Sequence, residues 1–172
     1  NYYIESKNIQ NLKNEIFKNP SKDHQQITNL IDKFSGQVSG ESIIEKNQVE
    51  IKEIFEQENI EEILNKTYSL SQNGSEFSKN TEHELKGKSP TSLKITFKQI
   101  HMATEMSLRD ALIMEYRMVQ RCQASGDFYE GVRAMLVDKD RNPQWKPSNL
   151  DKVDEIWVNH FFEPLHEKDL KI

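Results

Sequence analysis

The sequence predicts a mainly α-helical structure in which helices are joined by short loops. Apolar residues recur at the spacing of one helix face in successive segments of the 172-residue chain. Residues that favour helix N-termini precede several of these segments, and no segment shows the pattern of a multi-stranded sheet. Two architectures fit these observations: an isolated helical bundle, and the helical part of a larger α/β fold.

The first elements are an extended segment or short strand at NYYI and then two helices. Ser6 or Asn8 is the predicted cap of the first helix, and Pro20 ends it because proline cannot continue a helix. The second helix follows with Ser21 near its start. Their apolar faces consist of Ile9, Leu12, Ile16 and Phe17, and of Ile27, Leu30, Ile31 and Phe34.

A loop is predicted from Gly36 to Asn47, because glycines mark it and few apolar residues lie in it. Two short amphipathic helices follow, QVEIKEIFEQ and ENIEEILNKTYSL, joined near Glu58 and Asn59. Their predicted buried stripe consists of Ile51, Ile54, Phe55, Ile60, Ile63 and Leu64.

A turn at NGS begins the next part of the chain, and a polar helix follows it to about Lys86. Gly87 is the predicted C-cap of that helix. Ser89 and Pro90 then predict a strong helix start, because serine caps orphan N–H groups and proline fits the first turn. One face of this helix carries Leu93, Phe97, Ile100 and Thr104.

Ser107 and Asp110 resemble a capping box at the start of the next helix, which Gly126 ends. Its apolar face consists of Leu108, Ala111, Leu112, Tyr116, Val119 and Cys122. Asp127 starts another helix, predicted to turn Phe128, Val132, Met135 and Leu136 inward. After a polar loop, Ser148 is the predicted cap of a last helix that Pro164 stops. This helix bears Val153, Ile156, Trp157, His160 and Phe161.

The composition indicates a small core or one shared with a partner. Hydrophobic residues make up 35% of the chain and charged residues 30%, whereas globular chains are about 45–50% apolar. The net charge of -5 and the lack of a basic patch argue against binding to nucleic acid. The acidic residues between Glu50 and Glu62 predict a solvated helix face, with an acidic docking surface as the alternative.

The sequence contains few features that indicate the cellular location of the protein or its processing. Cys122 is the only cysteine, so no disulfide can form within the chain. No apolar run approaches the roughly 18–20 residues that span a bilayer, and no signal peptide is visible. The chain begins at Asn1 rather than Met, which predicts that an N-terminal part has been removed or belongs to a longer product.

The sequence contains no recognisable catalytic motif. It has no G-x-S-x-G and no glycine-rich phosphate loop, and its five histidines are scattered, so no metal site is predicted. Cys122 is predicted to be a small buried hydrophobe. Asp127 and Glu130 are interpreted as helix-start acids and Arg133 as an ion-pair partner of Glu130. Gly131 lies within a helix, where glycine is unfavourable, so a close backbone approach by another element is expected there.

Three stretches carry a resemblance to a known family. They are KSPTSLKIT (Lys88–Thr96), SLRDALIMEYRMVQRC (Ser107–Cys122) and DFYEGVRAMLVDKDRNPQWKP (Asp127–Pro147). In this order and spacing they resemble the C-terminal region of 3-hydroxyisobutyryl-CoA hydrolases, members of the enoyl-CoA hydratase/isomerase (crotonase) superfamily. Residues 1–88 are similar more loosely, and the terminal DLKI also looks like the end of the family.

The resemblance implies that residues 1–172 form a single region: the helical C-terminal region of a crotonase-type α/β fold, lacking the N-terminal ββα core. Polar helices and loops would occupy residues 1–88 and the family-signature helices residues 89–172. Because the oxyanion hole and the catalytic carboxylates of the family belong to the core, no catalytic residue is expected in this chain. Lys139 and Arg141 are candidates for binding the phosphates of coenzyme A (CoA), with solvated loop charges as the competing interpretation.

Two functions follow from the resemblance, both with a location in the mitochondrial matrix. In the first, the chain is the scaffold part of a hydrolase that cleaves a CoA thioester in valine catabolism, with the crotonase core as its partner. In the second, it is a non-catalytic structural subunit of a mitochondrial assembly, such as the small subunit of the mitochondrial ribosome, and contacts other proteins there. A third possibility, an independent helical interaction module, explains the motifs least well.

Overall fold

The chain forms two compact units, residues 1–48 and residues 49–172. A computed structural model describes residues 2–20, 23–38 and 40–172. Within these ranges all regular structure is helical and no β-strand occurs. The prediction of a mainly helical region is therefore confirmed.

Among its described residues, the first unit contains helices α1 (Ser6–Lys18), α2 (His24–Asp32) and α3 (Ile43–Lys46). Helix α1 begins at Ser6, and the side chain of the preceding Glu5 makes no capping hydrogen bond. Helix α2 is capped by Asp23, whose carboxylate accepts a hydrogen bond from the Gln25 amide at 2.9 Å. Ser21, predicted near this start, lies outside the described residues.

The prediction of a loop from residue 36 to residue 47 is wrong in part, because α3 forms within it. Ser42 accepts from the amide of Glu45, and the Glu45 carboxylate accepts from the amide of Ser42. This capping box satisfies N–H groups that a four-residue helix would otherwise leave unpaired. No described residue of the first unit is fully buried.

From Gln48 onward, the helices are α4 (Gln48–Phe55), α5 (Ile60–Gln72), α6 (Glu76–Lys86), α7 (Pro90–Ala103), α8 (Leu108–Ala124), α9 (Gly126–Val132) and α10 (Glu155–His160). A π-helical turn covers Arg133–Val137, and 3₁₀ turns cover Leu150–Lys152 and His166–Lys168. The predicted caps Ser89 and Ser107 are confirmed: their hydroxyls accept from the amides of Ser92 and Asp110, each at 3.1 Å. Gly87 is the C-cap of α6, as predicted.

The second unit has two clusters of buried apolar residues, and α7 contributes to both. In the first cluster Ile54, Ile60 and Ile63 pack with Leu93 and Phe97 of α7. The second consists of Ile95 of α7 together with Met114, Met118, Val153, Val158 and Phe161. Opposite faces of one helix thus pack against two different cores.

The predicted apolar face of α8 is only partly buried. The buried side chains are Met114 and Met118, whereas Leu108 is 78% exposed and Leu112 and Val119 are also exposed. Helix α8 has apolar residues on two faces, and only one of them packs within residues 49–172. The outward face is available to another part of the protein or to another chain.

The prediction that Phe128, Met135 and Leu136 point inward is wrong. All three are exposed, and Ala134 takes the fully buried position instead. For Met135 and Leu136 the cause is the π-helical turn after Val132, where the Asp138 amide donates to the Arg133 carbonyl at 2.8 Å; Phe128 precedes this turn. A five-residue hydrogen bond widens the turn and rotates the following side chains out of the α-helical phase.

The last helix is shorter than predicted. Asp154, not Ser148, caps it by accepting from the Trp157 amide at 2.7 Å, and α10 ends at His160 rather than at Pro164. A 3₁₀ turn at Leu150–Lys152 occupies the segment in between. The C-terminal tail is fastened to α8, because the Asp169 carboxylate accepts from Arg117 Nε at 2.8 and 3.0 Å.

Candidate functional site

Asp127, in the first turn of α9, joins three segments of the second unit. Its carboxylate accepts from the Ser89 hydroxyl at 2.6 Å and from the backbone amide of Lys146 at 2.9 Å. Ser89 is at the same time the N-cap of α7. The contact therefore fixes the start of α7, the start of α9 and the loop after the π-helical turn against one another.

Arg133 lies at the centre of a second set of contacts. The predicted ion pair with Glu130 is confirmed, with Arg133 Nε and Nη2 donating to the Glu130 carboxylate at 2.9 and 2.7 Å. Arg133 Nη1 donates to Asp138 and Asp140 at 2.6 and 2.7 Å, and Nη2 reaches the carbonyl of Asn142 at 3.2 Å. One guanidinium thus contacts three carboxylates and a backbone carbonyl.

These contacts hold the nearby carboxylates in the ionised form. Arg133, together with the Gln144 amide that donates to Glu130 at 2.6 Å, lowers the pKa of Glu130 from 4.5 to about 2. Arg133 and the Asn142 amide also lower the pKa of Asp140. A general acid or base needs a pKa near the operating pH. Glu130 and Asp140 are suited to holding the loop in place instead.

Replacing Glu130 by Gln is expected to change the pH dependence of stability. Because the folded-state pKa of Glu130 is depressed, its contribution is fully present above its ordinary value of 4.5 and is lost as pH falls towards about 2. The free energy of unfolding of the wild-type protein should therefore exceed that of Glu130→Gln by a constant amount near neutral pH. This difference should narrow below pH 4.5. Urea unfolding at a series of pH values measures the gap, and a gap independent of pH would contradict the assignment.

Trp145 packs against Gly131, where the sequence predicted a close approach. The indole Nε1 donates to the Gly87 carbonyl at 3.0 Å. A Cβ added at Gly131 would lie 3.3 Å from Cη2 of Trp145, closer than ordinary van der Waals contact. Trp145 is thus a packing anchor, and the group that approaches Gly131 is a side chain rather than backbone.

Lys139 and Arg141, the predicted cations for CoA phosphates, lie in the loop that Arg133 holds. Both are exposed and both have positive φ, 58° and 55°. Within the described chain, neither side chain makes a hydrogen bond or an ion pair. Their phosphate-binding role remains a prediction.

An open apolar groove of about 640 Å³ lies beside these contacts. Asp127 and Trp145 line one part of it, and α7 supplies much of its wall. Phe55, Ile100 and Phe128 also line the groove and are exposed to solvent. The groove offers an apolar surface rather than a reactive centre.

Cys122 lines this groove but is not activated as a nucleophile. Burial raises the pKa of its thiol, so less thiolate is present at a given pH than for a free cysteine. Cys122, predicted to be a small buried hydrophobe, packs against the second core cluster but is only half-buried.

Alkylation of Cys122 by iodoacetamide is expected to be slower in the folded protein than in urea-unfolded protein at about pH 8. The raised pKa reduces the thiolate fraction, and packing restricts access. Mass spectrometry of quenched time points measures the rates. Equal rates in the two states would contradict the environment described for the thiol.

No group of three or more His, Cys, Asp or Glu side chains is placed to bind a metal ion in residues 2–20, 23–38 and 40–172. Over the same ranges, no helix is both long and apolar enough to cross a bilayer.

Three contacts of the site could not be predicted from the sequence: Ser89–Asp127, Arg133–Asp138 and Arg133–Asp140. Ser89 and Asp127 are separated by 38 residues, and each forms part of a local helix start that explains its residue type. Asp138 and Asp140 come within reach of Arg133 through the π-helical turn, which a period of 3.6 does not predict. The Glu130–Arg133 ion pair is predictable because three-residue spacing places both side chains on one helix face.

The chain matches the family model "Enoyl-CoA hydratase/isomerase" over residues 1–162. It is 37% identical to the mitochondrial 3-hydroxyisobutyryl-CoA hydrolase of Gallus gallus, with 99% of this chain and 45% of that protein aligned. Against the corresponding proteins of Danio rerio and Homo sapiens the identity is 36% and 34%, with 99% of this chain and 45% and 44% of those proteins aligned. The chain spans less than half the length of these curated relatives.

Two solved structures share the fold. A carnitinyl-CoA dehydratase from Mycobacterium thermoresistibile superposes with a TM-score of 0.83 at 22% identity, over 99% of this chain and 46% of that chain. An enoyl-CoA hydratase from Rhodobacter sphaeroides superposes with a TM-score of 0.72 at 26% identity, over 86% of this chain and 44% of that chain. The predicted fold class, a helical region of a crotonase-type fold, is confirmed.

Proposed function

We propose that this chain, which belongs to the enoyl-CoA hydratase/isomerase family, forms the helical C-terminal region of a 3-hydroxyisobutyryl-CoA hydrolase. The observation that carries this proposal is the identity of 37% to such a hydrolase over 99% of the chain. The reaction would add water to the thioester carbonyl and release 3-hydroxyisobutyrate and the CoA thiol. The relatives are named mitochondrial, which supports a mitochondrial location; the matrix and valine catabolism are part of the proposal.

In this proposal the chain is a scaffold and does not supply the catalytic groups. Glu130 and Asp140 are held ionised by Arg133, and Asp127 is bonded to Ser89 and the Lys146 amide. With their pKa values lowered, neither Glu130 nor Asp140 is suited to exchange a proton with a substrate. The oxyanion hole and catalytic carboxylates would come from the crotonase core.

The core would also cover apolar surface that residues 49–172 leave open. Leu108, Leu112 and Val119 of α8 are exposed, as are Phe128 of α9 and Leu136 of the π-helical turn. Exposed apolar residues in such number favour an interface. The aligned share of 45% of a relative leaves room for a partner segment of comparable size.

We infer that residues 1–172 do not fold independently of that segment. The first unit has no fully buried residue among those described, and isolated short helices are marginal in water. A cooperative thermal transition of the isolated chain at about 45–65 °C, normal for mesophile domains, would contradict this inference.

The activity is tested on the complete protein that contains this chain, or on the chain co-expressed with its core segment. Release of CoA thiol from 3-hydroxyisobutyryl-CoA is followed with a thiol reagent, and an α,β-unsaturated acyl-CoA serves as the control substrate. We expect thiol release from the first and little hydration of the second. Hydration without thiol release would identify a hydratase instead.

Isolation of the chain with its natural partners tests the structural alternative. If the companion segment lacks the oxyanion loop and the acidic residues, and ribosomal proteins co-purify with the chain, the hydrolase proposal fails. A non-catalytic subunit of a mitochondrial assembly would then account for the chain.

A further inference from the structure

In the loop that follows the π-helical turn, the acidic side chains form ion pairs and the basic side chains do not. Asp138, Lys139, Asp140 and Arg141 alternate in charge along the chain. Both aspartates contact Arg133, at 2.6 and 2.7 Å, whereas the side chains of Lys139 and Arg141 extend into solvent without a partner among the described residues.

Arg133 is the reason that the two cations stay unpaired. A guanidinium is a fixed fork of donors, and Arg133 directs one side of it to Glu130 and Nη1 to both aspartates. Without this arginine, the nearest cations available to Asp138 and Asp140 would be Lys139 and Arg141. These four side chains would then neutralise one another within the loop.

The backbone of the loop is fixed around the same residue. The Asp138 amide donates to the Arg133 carbonyl at 2.8 Å, and the Arg141 amide donates to the Ala134 carbonyl at 3.1 Å. Lys139 and Arg141 adopt positive φ, which non-glycine residues keep only when their surroundings impose it. The contacts of Arg133 and Ala134 impose it here.

The charge of the segment explains why this separation matters. Between Glu130 and Arg141 there are three acids and three bases, so the segment has no net positive field. An anion would therefore bind through direct contacts, and cations that are not paired with a carboxylate would make the strongest ones. The affinity of such a site depends on keeping Asp138 and Asp140 paired with Arg133.

We propose that Arg133 is a positioning residue: by holding Asp138 and Asp140, it leaves Lys139 and Arg141 free to bind the phosphate groups of a CoA thioester. The identity of the ligand rests on the proposed function; the separation of charges does not. Arg133 itself touches neither substrate nor reacting atoms in this proposal.

The test measures KM and kcat of the complete protein with 3-hydroxyisobutyryl-CoA and with the analogue that lacks the 3′-phosphate. Arg133→Gln and the double variant Lys139→Ala/Arg141→Ala should each raise KM about fivefold to tenfold, the loss of one or two charge-assisted contacts. Both should retain kcat and lose the preference for the 3′-phosphate. Arg133→Lys should fall in between, because one ammonium cannot contact three carboxylates.

Arg109→Gln is the matched control, because Arg109 is an exposed arginine of α8 outside the loop. It removes the same charge and should leave KM unchanged. An equal rise in KM for Arg109→Gln would show a general charge effect and overturn the proposal.

A suppressor separates positioning from a merely structural role. Adding Asp138→Asn and Asp140→Asn to Arg133→Gln removes the acids that would capture Lys139 and Arg141. We expect this triple variant to recover most of the lost affinity. If Arg133 only supports the fold, the triple variant will bind no better than Arg133→Gln, and the proposal is overturned.

A direct binding measurement distinguishes this proposal from the proposed function. Calorimetry with 3′,5′-ADP reports phosphate binding whether or not the thioester is hydrolysed. Binding that depends on Arg133 in a protein that releases no CoA thiol would refute the hydrolase assignment and leave the positioning role in place. Thiol release with a KM that does not change when Arg133 is replaced would support the hydrolase assignment and refute the positioning role.

Discussion

Replacing Phe161 by Ala is expected to lower the unfolding free energy of the protein by about 3–5 kcal/mol, the usual cost of truncating a buried phenylalanine. Phe161 is 1% exposed and packs in the second core cluster. Its ring also meets Trp157 edge-on at 5.3 Å between ring centroids. The lower unfolding free energy would have two sources: less apolar surface is removed from water on folding, and a cavity remains that the short helix α10 cannot close.

Urea unfolding of the complete protein measures this effect. Ile156→Ala is the matched control, since Ile156 lies in α10 and is 82% exposed. Its effect in an exposed position should stay within about 0.5 kcal/mol. If both variants unfold alike, Phe161 is not the anchor that its burial indicates, or a partner covers Ile156.

Gly131→Val is expected to destabilise the protein by about 1–3 kcal/mol through overpacking. Even a Cβ would lie 3.3 Å from Trp145 Cη2, and valine adds two methyl groups. Trp145 would have to move, which would weaken its hydrogen bond to the Gly87 carbonyl at 3.0 Å. Thermal unfolding of the complete protein measures the loss.

Two further variants identify the cause of that loss. Gly126→Ala is the control, because a Cβ at Gly126 would meet nothing within 4 Å. Trp145→Phe, combined with Gly131→Val, should recover part of the stability, since the smaller ring leaves room for valine. Additive effects of the two substitutions would show that Trp145 is not the residue that Gly131 accommodates.

Local signals in the sequence were sufficient where one residue and its near neighbours determine the structure. Ser89 and Ser107 were predicted as helix caps because serine accepts from an amide three residues on, and both caps are present. The Glu130–Arg133 pair was predicted from helix spacing, and a close approach at Gly131 from the low helix propensity of glycine, although the approaching group is the Trp145 side chain rather than backbone.

Predictions of burial were wrong where a helix had two apolar faces or where the helix period changed. Apolar residues of α8 occupy two faces, and periodicity could not tell that Met114 and Met118 would be buried rather than Leu108 and Val119. The π-helical turn after Val132 rotated Met135 and Leu136 outward. The contacts of Arg133 with Asp138 and Asp140 also depend on this turn, whereas the phosphate-binding role of Lys139 and Arg141 stays a prediction from charge alone.

The two faces of α7 have a consequence for how residues 49–172 come apart. Leu93 and Phe97 belong to one apolar cluster and Ile95 to the other, so neither cluster can open without displacing the same helix. Neither cluster can then act as an independent foldon, and partial unfolding that spares one of them is disfavoured. Residues 49–172 should lose protection from hydrogen exchange in a single cooperative step.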